Sequence, residues 1–351
     1  MIRLETSKLW KEIHEQDVCI KNCLQINLPH IKKIADEVHK RGIKTVVFAA
    51  RGSSDHAAKV GKYLIEIYSD MIASTATPSV VTCYNGKTNY QNALVVGISQ
   101  SGAAKDCYMV MEKCVKDGGI CVSITNERDS LMSTIGDYRL NNECGVEESI
   151  TAAKSYITQL TLVTALAAYL SKDQGLIDSL DTLANVVKDA YTLENQVKAI
   201  IPIFRNSERL LLFGRGLLYG LCEEAELKIQ ETSYLDARCY ASSDYQHGPI
   251  ATATSFIPTI FFIADKKTND SIVQLHDRLK KEKNILSLIV TNDEEISKLG
   301  DYKIMIPNIY DGIQAVFASA VVAQMFSCLL ALARGYNPDT PIGVSKHTVT
   351  I

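Results

Sequence analysis

Short apolar runs alternate with longer mixed stretches along this chain. KTVVFAA (44–50), NALVVGI (92–98), GICVSIT (119–125), RLLLFG (209–214), TSFIPTIFFIA (254–264) and ILSLIVT (285–291) are almost wholly apolar, and SVVTCY (79–84) is largely so. Runs of this length without alternation predict strands buried on both faces. DYRL (137–140) and DYKIMIP (301–307) read as further short strands, the first at a sheet edge. Between them the apolar positions recur at helical spacing. Two helices are expected from about 8 to 41, one from 151 to 170, a helical stretch from 175 to 204 and a long helix from 311 to 334. Strands alternating with helices define an α/β chain with doubly wound parallel sheets.

The pattern runs through twice. ARG (50–52) and GRG (214–216) each follow the first strand of a half and lead into a helix, and DYRL and DYKI hold corresponding places. The expected division is 1–172, two N-terminal helices plus a first α/β domain, and 173–351, a second with a tail at 336–351. Pro and Gly mark that tail, yet Ile342, Val344 and Val349 give it apolar positions with which to pack on the body.

Length and composition narrow the class. At roughly 150 residues per domain, 351 residues suit two domains, and 46% apolar with 22% charged residues is an ordinary globular balance. A net charge of −3 offers nothing to nucleic acid or an acidic membrane. The ten cysteines form no CxxC pair. Cys19 and Cys23, with His14 nearby, lack a second ligand cluster, so buried reduced thiols of a cytoplasmic protein are expected and no metal. The charged N-terminal stretch is no signal peptide. The segment 315–333 carries Ser319, Gln324 and Ser327 among small residues and is expected to be a core or interface helix, not a membrane span.

Two turns carry the first chemical signal. ARGSSD puts Ser53 and Ser54 after a strand and at the start of a helix, and GISQSG does the same with Ser99, Gln100 and Ser101. The carboxyl ends of parallel strands are where ligands bind in open α/β sheets. A helix N-terminus adds unpaired N–H groups, and serines add hydroxyls, which together suit a phosphate dianion. Serines at such places also serve merely as N-caps; two such turns in one half favour phosphate. GxxxxGK[ST] and GxGxxG are absent, which counts against nucleotide and nicotinamide cofactors.

EAELKIQETSYLDARCYASSDYQHGP (224–249) carries the second. Lys228 and Glu231 share a helix face, and His247 follows in a polar loop. By spacing alone this is equally a solvated ion pair with an incidental histidine.

With ESITAAKSYITQL and NPDTPIGVSKHTVT in the same order, these stretches resemble the double-SIS (sugar isomerase) family over essentially the whole chain. The resemblance is to the isomerase half of glucosamine-6-phosphate synthase and to SIS-type glucosamine-6-phosphate deaminases. It implies two three-layer SIS domains. It also implies a phosphorylated hexose or aminohexose as substrate, no cofactor, and a homodimer. By that resemblance Ser53, Ser54, Ser99, Gln100 and Ser101 hold the phosphate. Glu231 moves a proton between C1 and C2, with Lys228 assisting and Glu224 a further carboxylate. His247 opens the sugar ring from the neighbouring subunit, and Lys346 contacts the open-chain sugar. An aldose–ketose exchange needs such a reversible base beside an acidic carbon, and a separate proton shuttle for ring opening.

Three places depart from the family pattern. SQSGAA lacks the usual glutamate and threonine at Ala103 and Ala104, Ile342 stands where arginine is usual, and GVEES replaces a glycine–proline–glutamate. The start at Met1–Ile2, without a glutaminase segment, points to the ammonia-releasing direction, a deaminase. The alternatives are a deglycase for amino-acid sugar phosphates and, in another class, a non-catalytic phosphosugar sensor.

Overall fold

The computed structural model describes residues 3–346. Val349 and the end of the tail motif lie outside them. Among the described residues, ten strands form two parallel sheets. The first comprises β1 (Thr45–Ala49), β2 (Ile72–Thr75), β3 (Ala93–Ile98), β4 (Ile120–Thr125) and β5 (Tyr138–Asn141), in the order β2-β1-β3-β4-β5. The second comprises β6 (Arg209–Gly214), β7 (Asp236–Ala241), β8 (Pro258–Ile263), β9 (Leu286–Thr291) and β10 (Tyr302–Met305), in the order β10-β9-β8-β6-β7. Read from the other edge, that is the order of the first sheet, so the repeat seen in the sequence is a repeat of topology.

Local details repeat as well. Gly52 (φ 55°, ψ −134°) and Gly216 (φ 60°, ψ −131°) both start the helix after the first strand of their sheet. Positive φ at both positions explains glycine there. The two DY motifs share a mechanism. Asp137 accepts the backbone N–H of Cys121 at 2.9 Å, and Asp301 accepts that of Ser287 at 2.8 Å. Each aspartate thereby satisfies a donor on the neighbouring strand that the sheet ladder leaves over.

The chain forms two compact units. One holds the first sheet and, among the described residues, comprises 16–147, 154–184 and 345–346; the other holds the second sheet and comprises 3–15, 148–153 and 185–344. In the first, Val47, Ala49 and Val95 face Cys107, Val110 and Met111 of the Lys105–Asp117 helix. The Gln16–Lys40, Ser53–Tyr68 and Lys154–Ser171 helices pack together elsewhere in that unit.

In the second unit the strand alternation sends neighbouring residues to opposite faces. Leu211, Phe213, Phe261 and Ile289 pack with Ile272, Leu275 and Leu279 of the Asn269–Lys283 helix. Leu212, Ile260, Phe262 and Val290 face Ala225 and Ile229 of the Leu217–Ser233 helix and Val322 and Phe326 of the Ile313–Ala333 helix. This is a three-layer α/β/α arrangement. The Ile313–Ala333 helix is apolar and long enough to cross a membrane, but 94% of its apolar window is buried within the protein. Here it is a core helix.

The structure differs from the sequence reading at SVVTCY. Residues Pro78–Thr82 form a short helix, and Tyr84 is 80% exposed. Pro78 sits in the first turn, where its fixed φ suits a helix and its missing N–H costs nothing. The strand position beside β1 is filled instead by Ile72–Thr75.

The tail is tied down at Asp339, but Ile342, expected to pack on the body, is 84% exposed. Asp339 is buried and accepts the Ser7 hydroxyl at 2.7 Å, the Lys8 N–H at 2.9 Å and the Leu9 N–H at 3.0 Å. It thus caps the Lys8–Ile13 helix from the far end of the chain, satisfying N–H groups that a helix start leaves open. Cys19 and Cys23 serve packing: their thiols contact the carbonyls of Cys144, Asn141 and Thr158. All ten cysteines are free, and all but Cys83 and Cys239 are buried.

Candidate active site

The sequence-predicted residues fall into two groups, one in each unit. In the first-sheet unit, an open recess of about 840 Å³ of empty space is lined by Arg51, Gly52, Ser54, Ser99, Gln100, Ser101, Ala104 and Lys346. Two helix starts meet it. The Ser53–Tyr68 helix begins at Gly52 with no side-chain cap, and its first backbone bonds run from Asp55 and His56 to the Gly52 carbonyl. Ser53 and Ser54 are therefore helical residues, not caps, and the first N–H groups of this helix have no intrahelical acceptor. Ser54 lines the recess; Ser53, half-buried, is not among its lining side chains.

The loop after β3 is held from within. The Ser99 N–H donates to Ile124 O at 3.0 Å, and the Asn126 N–H donates to Gln100 O at 2.9 Å. The Ser99 hydroxyl accepts the Gly102 N–H at 3.2 Å, and the Ser101 hydroxyl accepts the Ala103 N–H at 3.3 Å. A hydroxyl used as an acceptor still has its own proton to donate. These serines can brace the loop and donate to an anion at once. Gly102 is required there: its φ is +62°, and a Cβ would lie 2.0 Å from the Ser130 hydroxyl oxygen.

Lys346 reaches this recess from the tail. Its ammonium donates to the Glu147 carbonyl and lies 3.6 Å from the Glu147 carboxylate. That carboxylate is buried and accepts the Ser155 N–H at 3.0 Å and the Ser155 hydroxyl at 2.8 Å. The GVEES stretch therefore keeps a buried, hydrogen-bonded glutamate at 147. Sequence reasoning passed over Arg51 and Glu147. The only signal for Arg51 was its place directly before the turn glycine.

In the second-sheet unit, the Leu217–Ser233 helix carries Glu224, Lys228 and Glu231 on one stripe, as spacings of four and three require. Lys228 is 1% exposed. Its ammonium lies 2.6 Å from Glu231 Oε2 and 3.6 Å from Glu224 Oε1. Glu224 is equally buried, whereas the Glu231 side chain keeps 19% of its surface exposed. The solvated-pair reading fails here. An ammonium removed from water costs several kcal/mol unless compensated, and two carboxylates on one lysine give that compensation. Of the three groups, Glu231 alone keeps access to solvent.

His247 lies apart from that stripe. It is exposed in the turn after the Ser242–Tyr245 helix, with its N–H donating to Asp244 O at 3.0 Å. Gly248, at φ +127°, turns the chain next to it. Among the described residues its ring has no hydrogen bond or ion pair with Glu224, Lys228 or Glu231. Among the described residues, too, no cluster of histidine, cysteine and carboxylate side chains has metal-site geometry.

Comparison with known proteins agrees with this architecture. The SIS domain model matches twice, over residues 41–169 and 203–334. The chain belongs to the SIS-domain family, and carries two copies of the domain. It is 27% identical over 350 residues to a glutamine–fructose-6-phosphate aminotransferase (isomerizing) of Thermococcus kodakarensis, covering 97% of this chain and 57% of that protein. A Helicobacter pylori protein of the same name is 28% identical over 358 residues, at 98% and 58% coverage. The chain thus spans little more than half the length of these curated relatives. Among solved structures, the C-terminal domain of glucosamine-fructose-6-phosphate aminotransferase from Francisella tularensis superposes with a TM-score of 0.85 at 22% identity, over 96% of this chain and 98% of that one. A glucosamine-6-phosphate deaminase from Thermotoga maritima gives 0.79 at 21%, over 98% and 100%.

Proposed function

We propose that this chain is a phosphosugar isomerase of the aldose–ketose type working as an aminosugar-phosphate deaminase. The observation that carries this reading is the buried Lys228 ammonium bracketed by Glu231 and Glu224. A phosphosugar sensor has no use for a costly buried charge cluster with one solvent-reachable carboxylate. The serine-lined recess supports the phosphate half of the reading. The fold shared along the full length of a glucosamine-6-phosphate deaminase is consistent with the direction.

In this scheme Ser54, Ser99, Gln100 and Ser101 hold the phosphate, and His247 opens the ring. Glu231 takes the C2 proton of the open-chain amino-aldose and returns it at C1. The product is a C2 imine. Water hydrolyses it to ketose phosphate and ammonia, so that aminosugar phosphate plus water balances ketose phosphate plus ammonia. Lys228 holds Glu231 in place between turnovers, and Lys346 contacts the open-chain sugar. No cofactor enters.

Alanines at 103 and 104, with Ala104 lining the recess, favour a second reading. They alter the phosphate end of the site, which favours a substrate other than the family's usual one, such as an amino-acid sugar phosphate. Incubation with a panel of amino-hexose, keto-hexose and amino-acid-conjugated (fructosamine-type) hexose phosphates, assayed for ammonia, free amino acid and ketose phosphate, tests both. Ammonia with ketose phosphate supports the deaminase, free amino acid supports the deglycase, and no turnover on any member overturns the enzyme reading.

The exposed His247 is proposed to serve the site of a neighbouring copy. Mixing inactive Glu231→Gln and His247→Ala proteins should then restore activity in mixed dimers, which regain one intact site. No recovery despite demonstrated subunit exchange contradicts the sharing.

A further inference from the structure

We propose that Arg51 is an anion ligand of the serine-lined recess, oriented by the buried carboxylate of Asp106, and that it replaces the hydroxyl donor the loop at Ala103–Ala104 does not carry. The inference rests on the reading of this recess as the phosphate site. Arg51 follows β1 and immediately precedes Gly52; Asp106 lies in the first turn of the Lys105–Asp117 helix that follows the β3 loop. Arg51 Nη2 and Asp106 Oδ2 are 2.7 Å apart. The pair therefore joins the two turns that supply the serines.

The two partners are unequally placed. The Asp106 side chain is 4% exposed and that of Arg51 is 50% exposed. The other Asp106 oxygen accepts the Cys107 N–H at 2.9 Å. Both carboxylate oxygens are thus engaged by donors, which lowers the repulsion that a bare carboxylate would offer an incoming anion. A guanidinium has five N–H donors in a planar fork, and the contact to Asp106 does not exhaust them. Fixed on one edge by a buried partner and open to solvent elsewhere, Arg51 has the pre-organised form suited to binding phosphate oxygens in pairs.

The loop itself leaves a need for such a ligand. The Lys105–Asp117 helix starts at Ala104 with no side-chain cap, and neither Ala103 nor Ala104 has a polar side-chain atom. Lys346, the other cation lining the recess, is engaged by Glu147. Arg51 brings charge to the recess from a different element, without calling on that contact.

The test is isothermal titration of the full chain with glucosamine 6-phosphate and with inorganic phosphate, for the wild type, Ser99→Ala, Arg51→Ala and Arg51→Lys. Both ligands should bind the wild type. Arg51→Ala should weaken each at least tenfold, and Arg51→Lys should recover only part, because an ammonium keeps the charge and loses the fork. A wild type that binds neither ligand overturns the phosphate reading of the recess itself. A wild type that binds, is weakened by Ser99→Ala and is unaffected by Arg51→Ala overturns the role of Arg51 alone. Should Arg51→Ala melt far below the wild type, the lysine variant decides, since it retains a cation for Asp106: affinity equal to wild type contradicts the proposal, and a several-fold loss supports it.

Discussion

The ammonium of Lys228 stands 2.6 Å from Glu231 Oε2, and both side chains project from one face of the Leu217–Ser233 helix. Glu224, one turn earlier, completes the cluster at 3.6 Å. The same spacing on an exposed helix gives an ion pair worth well under 1 kcal/mol. Burial makes it a different object, because each charge now depends on the others for the solvation that water no longer gives.

Replacing Lys228 by methionine keeps the aliphatic stem and leaves two carboxylates without their cation. Removing one partner of a buried pair costs about 3–5 kcal/mol. Lys228→Met should therefore lower unfolding stability by an amount of that order in urea titration, and should abolish turnover. A stability unchanged from wild type would show that the carboxylates do not rely on the lysine.

Gly102 makes a second prediction, for the recess. An alanine there meets Ser130 as well as a left-handed backbone at φ +62°. Gly118 is left-handed too, at φ +83°, but faces open space. Gly118→Ala should cost only the backbone preference, about 1–2 kcal/mol. Gly102→Ala should displace the serine loop in addition. The measurement is sugar-phosphate affinity, expected to fall more than tenfold for Gly102→Ala and to stay near wild type for Gly118→Ala.

Acid stability has a local source in the second DY motif. Burial pushes the Asp301 carboxyl up, but bonds from Lys280 and from the N–H and hydroxyl of Ser287 outweigh it, and the group lies below its ordinary value. A depressed folded-state pKa means the unfolded chain takes up protons first as pH falls. The stabilisation is complete above the ordinary aspartate value of about 3.9 and is lost as pH drops through the lower folded value. Asp301→Asn should flatten the stability–pH curve across that window in denaturant midpoints taken from pH 5 downward. An unchanged slope would contradict it.

Much of this was legible in the sequence, and for identifiable reasons. Fully buried strands such as Ala93–Ile98 and Ile120–Thr125 announce themselves because burial of both faces leaves a mostly apolar run without alternation. The edge strand Ile72–Thr75 has exposed residues at 72 and 74, and so left no apolar run to notice. SVVTCY looked like a strand because short apolar segments do not declare their period; Pro78 was the deciding residue. The Glu224–Lys228–Glu231 stripe was readable as a stripe, but its burial was not. That depends on what packs over the helix, which spacing within the helix cannot express. Arg51 was hidden for a similar reason: its partner Asp106 is distant in sequence and is brought near by the parallel pairing of β1 with β3. The capping of the Lys8–Ile13 helix by Asp339 joins the chain's two ends, and no local pattern encodes it.

The central claim is that Glu231 moves the proton between C1 and C2. Its most direct test is Glu231→Gln, an isosteric change that removes the base, assayed on whichever phosphosugar of the panel the wild type turns over. Loss of a general base costs about 10²–10⁴ in rate. We expect kcat to fall by at least a hundredfold while the affinity for the sugar phosphate stays within a few-fold of wild type. A Glu231→Gln protein that turns over at the wild-type rate would contradict the account.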